Sequence, residues 1–109
     1  MRVLVTGATG FIGRNLCLAL AEQGYNVVAL CRDVNHPYLI PHKNITAVKV
    51  DILDRAGLIL AMKGCQQVYH TAALAKMWCR DKNDYYNINV TGTRNVLELA
   101  MNLYINKVV

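Results

Sequence analysis

Three glycines, Gly7, Gly10 and Gly13, stand three residues apart in VTGATGFIG (5–13), directly after an apolar run. Glycine weakens both strand and helix interiors, so its triple use at a strand exit points to another constraint. Phosphate binding supplies one. Gly7 lets the chain leave a strand in a tight turn with positive φ. Gly10 leaves no Cβ between the backbone and an approaching pyrophosphate, and Gly13 lets the next helix pack closely on the sheet. That helix opens with free N–H groups and the positive end of its dipole, so Phe11 and Ile12 count with the glycines as anion-facing residues. Thr6 and Thr9 add hydroxyl donors. The alternative is a glycine-rich turn with no ligand. A strand before and an amphipathic helix after the triplet favour phosphate.

The elements that position this turn follow from the apolar pattern. Val3, Leu4 and Val5 form a continuous apolar run suited to a strand buried on both faces. From Ile12, apolar residues recur at Leu16, Ala19 and Leu20 with helical spacing, and Gly24 marks the stop. Residues 27–31 form a second buried strand, 33–44 a loop holding Pro37 and Pro41, and 45–50 a third strand ending at Asp51. Asp54 is placed to cap a short helix running to Met62 and stopped by Gly64. Residues 67–71 form a fourth strand and 74–82 a loop. A longer helix follows, with Tyr85, Ile88, Val96, Leu99 and Leu103 largely on one face, and NKVV (106–109) starts a fifth strand.

Alternation of strands and helices with right-handed crossovers predicts an α/β, Rossmann-type doubly wound parallel sheet of order 3-2-1-4-5. Residues 1–109 make one incomplete domain, truncated at the start of strand 5. The ligand is expected beyond the carboxyl ends of strands 1 and 4, where the winding reverses. A fifth strand this short is expected to leave strand 4 at an exposed edge, inviting a homo-oligomer through strand pairing.

The GxxGxxG spacing departs from the simplest dinucleotide fingerprint, GxGxxG. TGATGFIG (6–13) instead resembles the extended branch of the short-chain dehydrogenase/reductase superfamily, which includes NAD-dependent epimerases and dehydratases and dihydroflavonol reductase-like proteins. Three further stretches, in order, resemble that branch: VDILD (50–54), VYHTAA (68–73) and NVTGTRNVLE (89–98). The resemblance implies the dinucleotide-binding part of an NAD(P)-dependent epimerase, dehydratase or reductase. It implies that Asp51 and Ile52 meet the adenine and that Thr71, Ala72 and Ala73 line the cofactor's path. It gives Asn89 a structural and cofactor-side role.

The second strand ends VVALCRD (27–33). At this place an acidic residue favours NAD and an arginine favours NADP. Arg32 comes first, and its guanidinium can fork onto a 2′-phosphate, so NADP is preferred to NAD. CRD (31–33) also resembles the dihydroflavonol reductase-like group. Asp33 serves either as counter-ion to Arg32 or as ribose acceptor. Hydride transfer in this superfamily uses a Tyr-x-x-x-Lys pair. Tyr25, Tyr38, Tyr69, Tyr85, Tyr86 and Tyr104 all lack a lysine four residues on, so no catalytic residue is assigned. The chain alone is expected to be inactive, its small-molecule substrate belonging to a full-length parent. A non-catalytic binding module and a remnant fragment are the alternatives.

Several residues have plainer readings. Asp51 could simply cap the turn after strand 3. His70, penultimate in a buried strand, reads as a hydrogen-bonded structural histidine. Ala72 and Ala73 are small because cofactor or helix packs closely. Gly92 costs about 1 kcal/mol in a helix against alanine, so close packing is its simplest use. Thr91 and Thr93 read as packing or exposed residues. Trp78 lines a pocket or packs on the surface, and Lys76 and Met77 receive no role.

Composition sets the outer limits. At 54% apolar and 17% charged, the chain is not disordered. Its apolar runs are too short to span a bilayer, and MRVLVTG does not resemble a signal peptide, so a cytoplasmic protein is expected. Cys17, Cys31, Cys65 and Cys79 form no CxxC pair and read as free, largely buried thiols, with no metal. The net charge of +5 is scattered, which argues against nucleic acid and suits an anionic cofactor.

Overall fold

The opening apolar run becomes a strand, β1 (Arg2–Thr6), in which Val3, Leu4, Val5 and Thr6 are all completely buried. Side chains alternate across a strand, so β1 contributes to two separate cores. Val3 and Val5 pack with Cys17, Leu20, Ala21, Val27 and Ala29 on one face of the sheet. Leu4 packs with Leu30, Leu58, Met62, Val68, Val96 and Leu99 on the other. The computed structural model describes residues 1–72 and 87–109.

The remaining elements are α1 (Phe11–Glu22), β2 (Asn26–Cys31), β3 (Ile45–Lys49), α2 (Arg55–Met62), β4 (Gln67–His70), α3 (Thr93–Asn102) and β5 (Lys107–Val108). Every strand pair is parallel, and the order is β3-β2-β1-β4-β5, as the alternation predicted. Helix α1 covers one face of the sheet, while α2 and α3 cover the other. The winding therefore reverses between β1 and β4, where an open α/β sheet leaves a crevice at its carboxyl edge.

The predicted stops and caps hold. Gly24 follows α1 and Gly64 follows α2, both with positive φ. The Asp54 carboxylate accepts from the Gly57 amide at 3.1 Å and opens α2. The last helix departs from expectation in its winding. Residues Asn87–Gly92 form a π-helical turn that runs into α3, so Gly92 sits at the seam and not inside an α-helix. The loop at 74–82, Tyr85 and Trp78 lie outside the described residues.

The expected open edge on β4 is corrected. Although β5 has two residues, its flanks extend its reach. Asn106 N–H donates to the Gln66 carbonyl, Val109 N–H to the Val68 carbonyl, and His70 N–H to the Val109 carbonyl. The β4 ladder is thereby occupied along its length, and the argument for oligomers through that edge loses its basis. Among the described residues, no helix is long and apolar enough to cross a membrane.

Candidate functional site at the β1–β4 switch point

The glycine turn is held by backbone contacts that exclude side chains at two of its three glycines. Gly7 has φ +68°, and a Cβ there would come within 2.7 Å of the Ala72 amide nitrogen. A Cβ on Gly13 would collide with the Gly7 carbonyl oxygen, so α1 leaves the sheet with its first turn pressed on the loop behind it. Gly10 is different. It is exposed, with φ −74° and ψ 166°, and among the described residues a Cβ there would meet only the Gly7 carbonyl oxygen, at 3.4 Å. The described residues leave room for a side chain at Gly10.

The head of α1 is electrostatically open. Gly10 is the N-cap and provides no side-chain cap, and the first turn holds no acidic residue. The first intrahelical bond runs from Arg14 N–H to the Gly10 carbonyl. The amides of Phe11, Ile12 and Gly13 precede it and have no intrahelical acceptor. Phe11 and Ile12 keep their side chains exposed. This arrangement suits an anion.

Thr6 does not contribute to that anion-facing surface, contrary to the expectation that its hydroxyl faces a phosphate. It is completely buried and fastens the end of β4 to the end of β1. Its Oγ1 accepts from the Thr71 and Ala72 amides, each at 3.1 Å, and lies 2.8 Å from His70 Nδ1. The Thr71 hydroxyl in turn donates to the Thr6 carbonyl and lies 3.4 Å from the Gly7 carbonyl oxygen. His70 Nε2 lies 2.9 Å from Thr93 Oγ1 on α3. Burial holds the His70 imidazole below its ordinary proton affinity. The structural role read for His70 is thus seen in its bonds. Its partner Thr93, read as packing or exposed, is the unexpected member.

The other predicted site residues gather at the same carboxyl edge because each follows a parallel strand. Arg32 follows β2, Asp51 and Ile52 follow β3, and Thr71 and Ala72 follow β4. Arg32 is exposed and forms no ion pair among the described residues. Asp33 accepts from the Asn35 amide at 2.9 Å, a local turn bond, and is not paired with Arg32. Asp51 likewise caps its own turn, accepting from Leu53 N–H at 2.9 Å. Ile52 buries its side chain in the core, so only its backbone remains at the edge. Asn89 is half-buried in the π-helical turn, Thr9 is half-exposed, and Ala73 lies outside the described residues.

Two further contacts shape this edge and were not singled out. Asn95 is buried on α3, donates to the Ile52 carbonyl at 3.0 Å and accepts from Arg55 at 2.8 Å. It ties the loop after β3 to the last helix. Its signal was a polar residue beside Val96 on an otherwise apolar helix face. Arg14 lies over the Tyr38 ring, 4.6 Å from its centroid, and joins α1 to the β2–β3 loop. Three cysteines are confirmed as buried free thiols, and burial pushes the Cys17 thiol up to about 12; Cys79 lies outside the described residues. No group of three metal-ligating side chains occurs among the described residues.

Sheet order, switch point and glycine turn define a Rossmann-type α/β domain. The chain belongs to the NAD dependent epimerase/dehydratase family, which it matches over residues 3–109. It is 42% identical over 105 residues to a Synechocystis protein provisionally named dihydroflavonol 4-reductase, covering 96% of this chain and 30% of that protein. It is 34% identical over 97 residues to 2-alkyl-3-oxoalkanoate reductase of Stenotrophomonas maltophilia, covering 89% of this chain and 28% of the relative. Among solved structures, the Bordetella bronchiseptica enzyme WbmH in complex with NAD+ superimposes with a TM-score of 0.86 at 28% identity, covering 98% of this chain and 37% of that one. The chain thus spans about a third of the length of each of these three proteins.

Proposed function

We propose that the chain binds a nicotinamide dinucleotide, with the pyrophosphate over Gly10 and the amides of Phe11, Ile12 and Gly13. The carrying observation is the contrast within the glycine triplet. Gly7 and Gly13 are required by neighbouring protein atoms, whereas among the described residues the nearest atom to a Cβ at Gly10, its chain neighbours aside, is the Gly7 carbonyl oxygen at 3.4 Å. A ligand explains a glycine that the described residues do not crowd. The bound nicotinamide supplies hydride exchange. Thr9 adds a hydroxyl near the phosphates, Asp51 and the Ile52 backbone border the adenine, Thr71, Ala72 and Ala73 line the cofactor's path, and Asn89 has a structural and cofactor-side role. The parent activity is that of an NAD(P)-dependent reductase, epimerase or dehydratase on a small molecule, in the cytoplasm. These 109 residues hold no Tyr-x-x-x-Lys pair and supply the binding half. Calorimetric titration with NAD+ and NADPH tests the reading: saturable heat is expected, and its absence from a folded sample sinks it.

NADP is the preferred dinucleotide. Arg32 is exposed and unpaired among the described residues, and the Asp33 carboxylate beside it is engaged by Asn35. A planar guanidinium in that state suits a phosphate monoester better than a ribose hydroxyl. Arg32→Asp is expected to weaken NADPH binding by about 2 kcal/mol, the scale of a lost charge-assisted pair, and to leave NADH binding nearly unchanged. Equal losses for both dinucleotides remove the preference.

A further inference from the structure

We infer that His70 is a positioning residue for the glycine turn and that it holds the turn only as the neutral Nε2–H tautomer. The inference rests on the dinucleotide reading above. Its geometry starts from Thr6. A threonine hydroxyl has one hydrogen and two lone pairs. Both lone pairs of Thr6 Oγ1 are taken, by the amides of Thr71 and Ala72. Its hydrogen therefore points to His70 Nδ1, 2.8 Å away, which must accept. The ring proton then sits on Nε2 and is donated to Thr93 Oγ1 at 2.9 Å. Every polar atom of this chain of bonds has a defined direction, so the tautomer is fixed by its partners.

Taking up a second proton reverses one link. A hydrogen on Nδ1 faces the Thr6 hydroxyl hydrogen, and the hydroxyl must rotate. Wherever it turns, it meets the Thr71 or Ala72 amide, and one of those bonds is lost. The consequence reaches the ligand site through Thr71, whose own hydroxyl bonds the Thr6 carbonyl and approaches the Gly7 carbonyl. Gly7 O is also the acceptor for Gly10 N–H and the atom against which Gly13 packs. The charged residues on the described elements packed around His70 are Arg2 on β1, Lys107 on β5, and Arg94 and Glu98 on α3, all exposed. Burial lowers the proton affinity of the ring itself.

Dinucleotide affinity should therefore fall as the ring gains a proton, below the ordinary histidine value of 6.5. NAD+ is the suitable probe, because its pyrophosphate does not titrate in this range. Wild-type affinity is expected to fall as pH is lowered from 7.5 and the ring charges, reaching at least about fivefold once the ring is fully protonated, a modest coupling. His70→Asn, whose amide oxygen can accept from Thr6 without titrating, should show no such drop. By reciprocity, saturating NAD+ should lower the pH at which the wild-type ring titrates, followed by its nitrogen and carbon resonances. This second measurement needs no variant. An Nδ1–H ring at neutral pH, equal pH slopes in wild type and His70→Asn, or a ring that titrates higher with NAD+ bound each overturn the inference. Simple attraction between imidazolium and pyrophosphate gives the last of these. Failure of wild type to bind at pH 7.5 overturns the dinucleotide reading itself, and the resonances at neutral pH report the tautomer separately.

Discussion

Gly13→Ala is expected to cost about 3 kcal/mol, at the upper end of overpacking penalties, while Gly10→Ala leaves the fold intact and removes the ligand. The two substitutions add the same methyl group three residues apart, and helix propensity alone would order them the other way, favouring alanine at Gly13 inside α1 and disfavouring it at the N-cap Gly10. Their surroundings reverse that order. At Gly13 the methyl group meets the Gly7 carbonyl oxygen. That oxygen is backbone, already held by Gly10 N–H and approached by the Thr71 hydroxyl, and cannot retreat without dismantling the turn. For a domain of this size a loss of about 3 kcal/mol lowers the melting midpoint by about 15 °C. At Gly10, backbone angles of −74° and 166° are accessible to any residue, and the methyl group finds ordinary contact distance. Stability there should fall by about 1 kcal/mol, the cost of alanine in place of glycine at a helix N-cap. Dinucleotide affinity should fall about 100-fold, or about 2.7 kcal/mol, because the methyl group occupies the phosphate's approach. Thermal melts and calorimetric titrations of the two variants decide the matter. Undiminished binding by Gly10→Ala removes the pyrophosphate from this turn.

What the amino-acid sequence disclosed about this fold was what depends on local periodicity and on the order of elements. The run from Val3 to Val5, the helical spacing after Ile12 and the Asp54 cap each act within a few residues. Parallel strands joined by helices then leave one handed solution. The sheet order and the gathering of Arg32, Asp51 and Thr71 at one edge follow from connectivity alone. What escaped depends on distant partners. Thr6 looked like a hydroxyl beside a phosphate, because the sequence does not say that Thr71, Ala72 and His70 arrive at it from 64 to 66 residues away. Ile52 sits in a stretch expected at the adenine, yet its side chain faces the core. The π-helical start of the last helix was invisible because apolar spacing over six residues does not distinguish it from an α-helix. The reach of β5 was underestimated for a related reason. Residue count measures a strand, but hydrogen bonds from Asn106 and Val109 measure what it covers.

Thr6→Val is expected to destabilise the chain by about 3 kcal/mol at neutral pH, while Thr6→Ser stays within about 1 kcal/mol. Valine reproduces threonine's shape, so packing in the buried β1 run survives. The hydroxyl does not. Its loss leaves the Thr71 and Ala72 amides and His70 Nδ1 without their partner. Each such buried group costs about 1–3 kcal/mol, and the half-exposure of Thr71 and Ala72 lets water recover part of it. The loss should also depend on pH, and its sign follows from His70. In the unfolded chain the ring takes a proton near 6.5, whereas burial keeps the folded ring neutral to lower pH. The unfolded state then binds more protons, and wild-type stability declines as pH falls from about 6.5 through the lower folded value. In Thr6→Val no hydroxyl hydrogen opposes a proton on Nδ1, so the folded ring charges more readily and stability declines less. Urea denaturation at pH 7.5 and pH 5.5 should show the gap between wild type and Thr6→Val narrowing at the lower pH. A gap of constant size means that the Thr6 hydroxyl donates elsewhere and the direction assigned to the His70 bond is wrong.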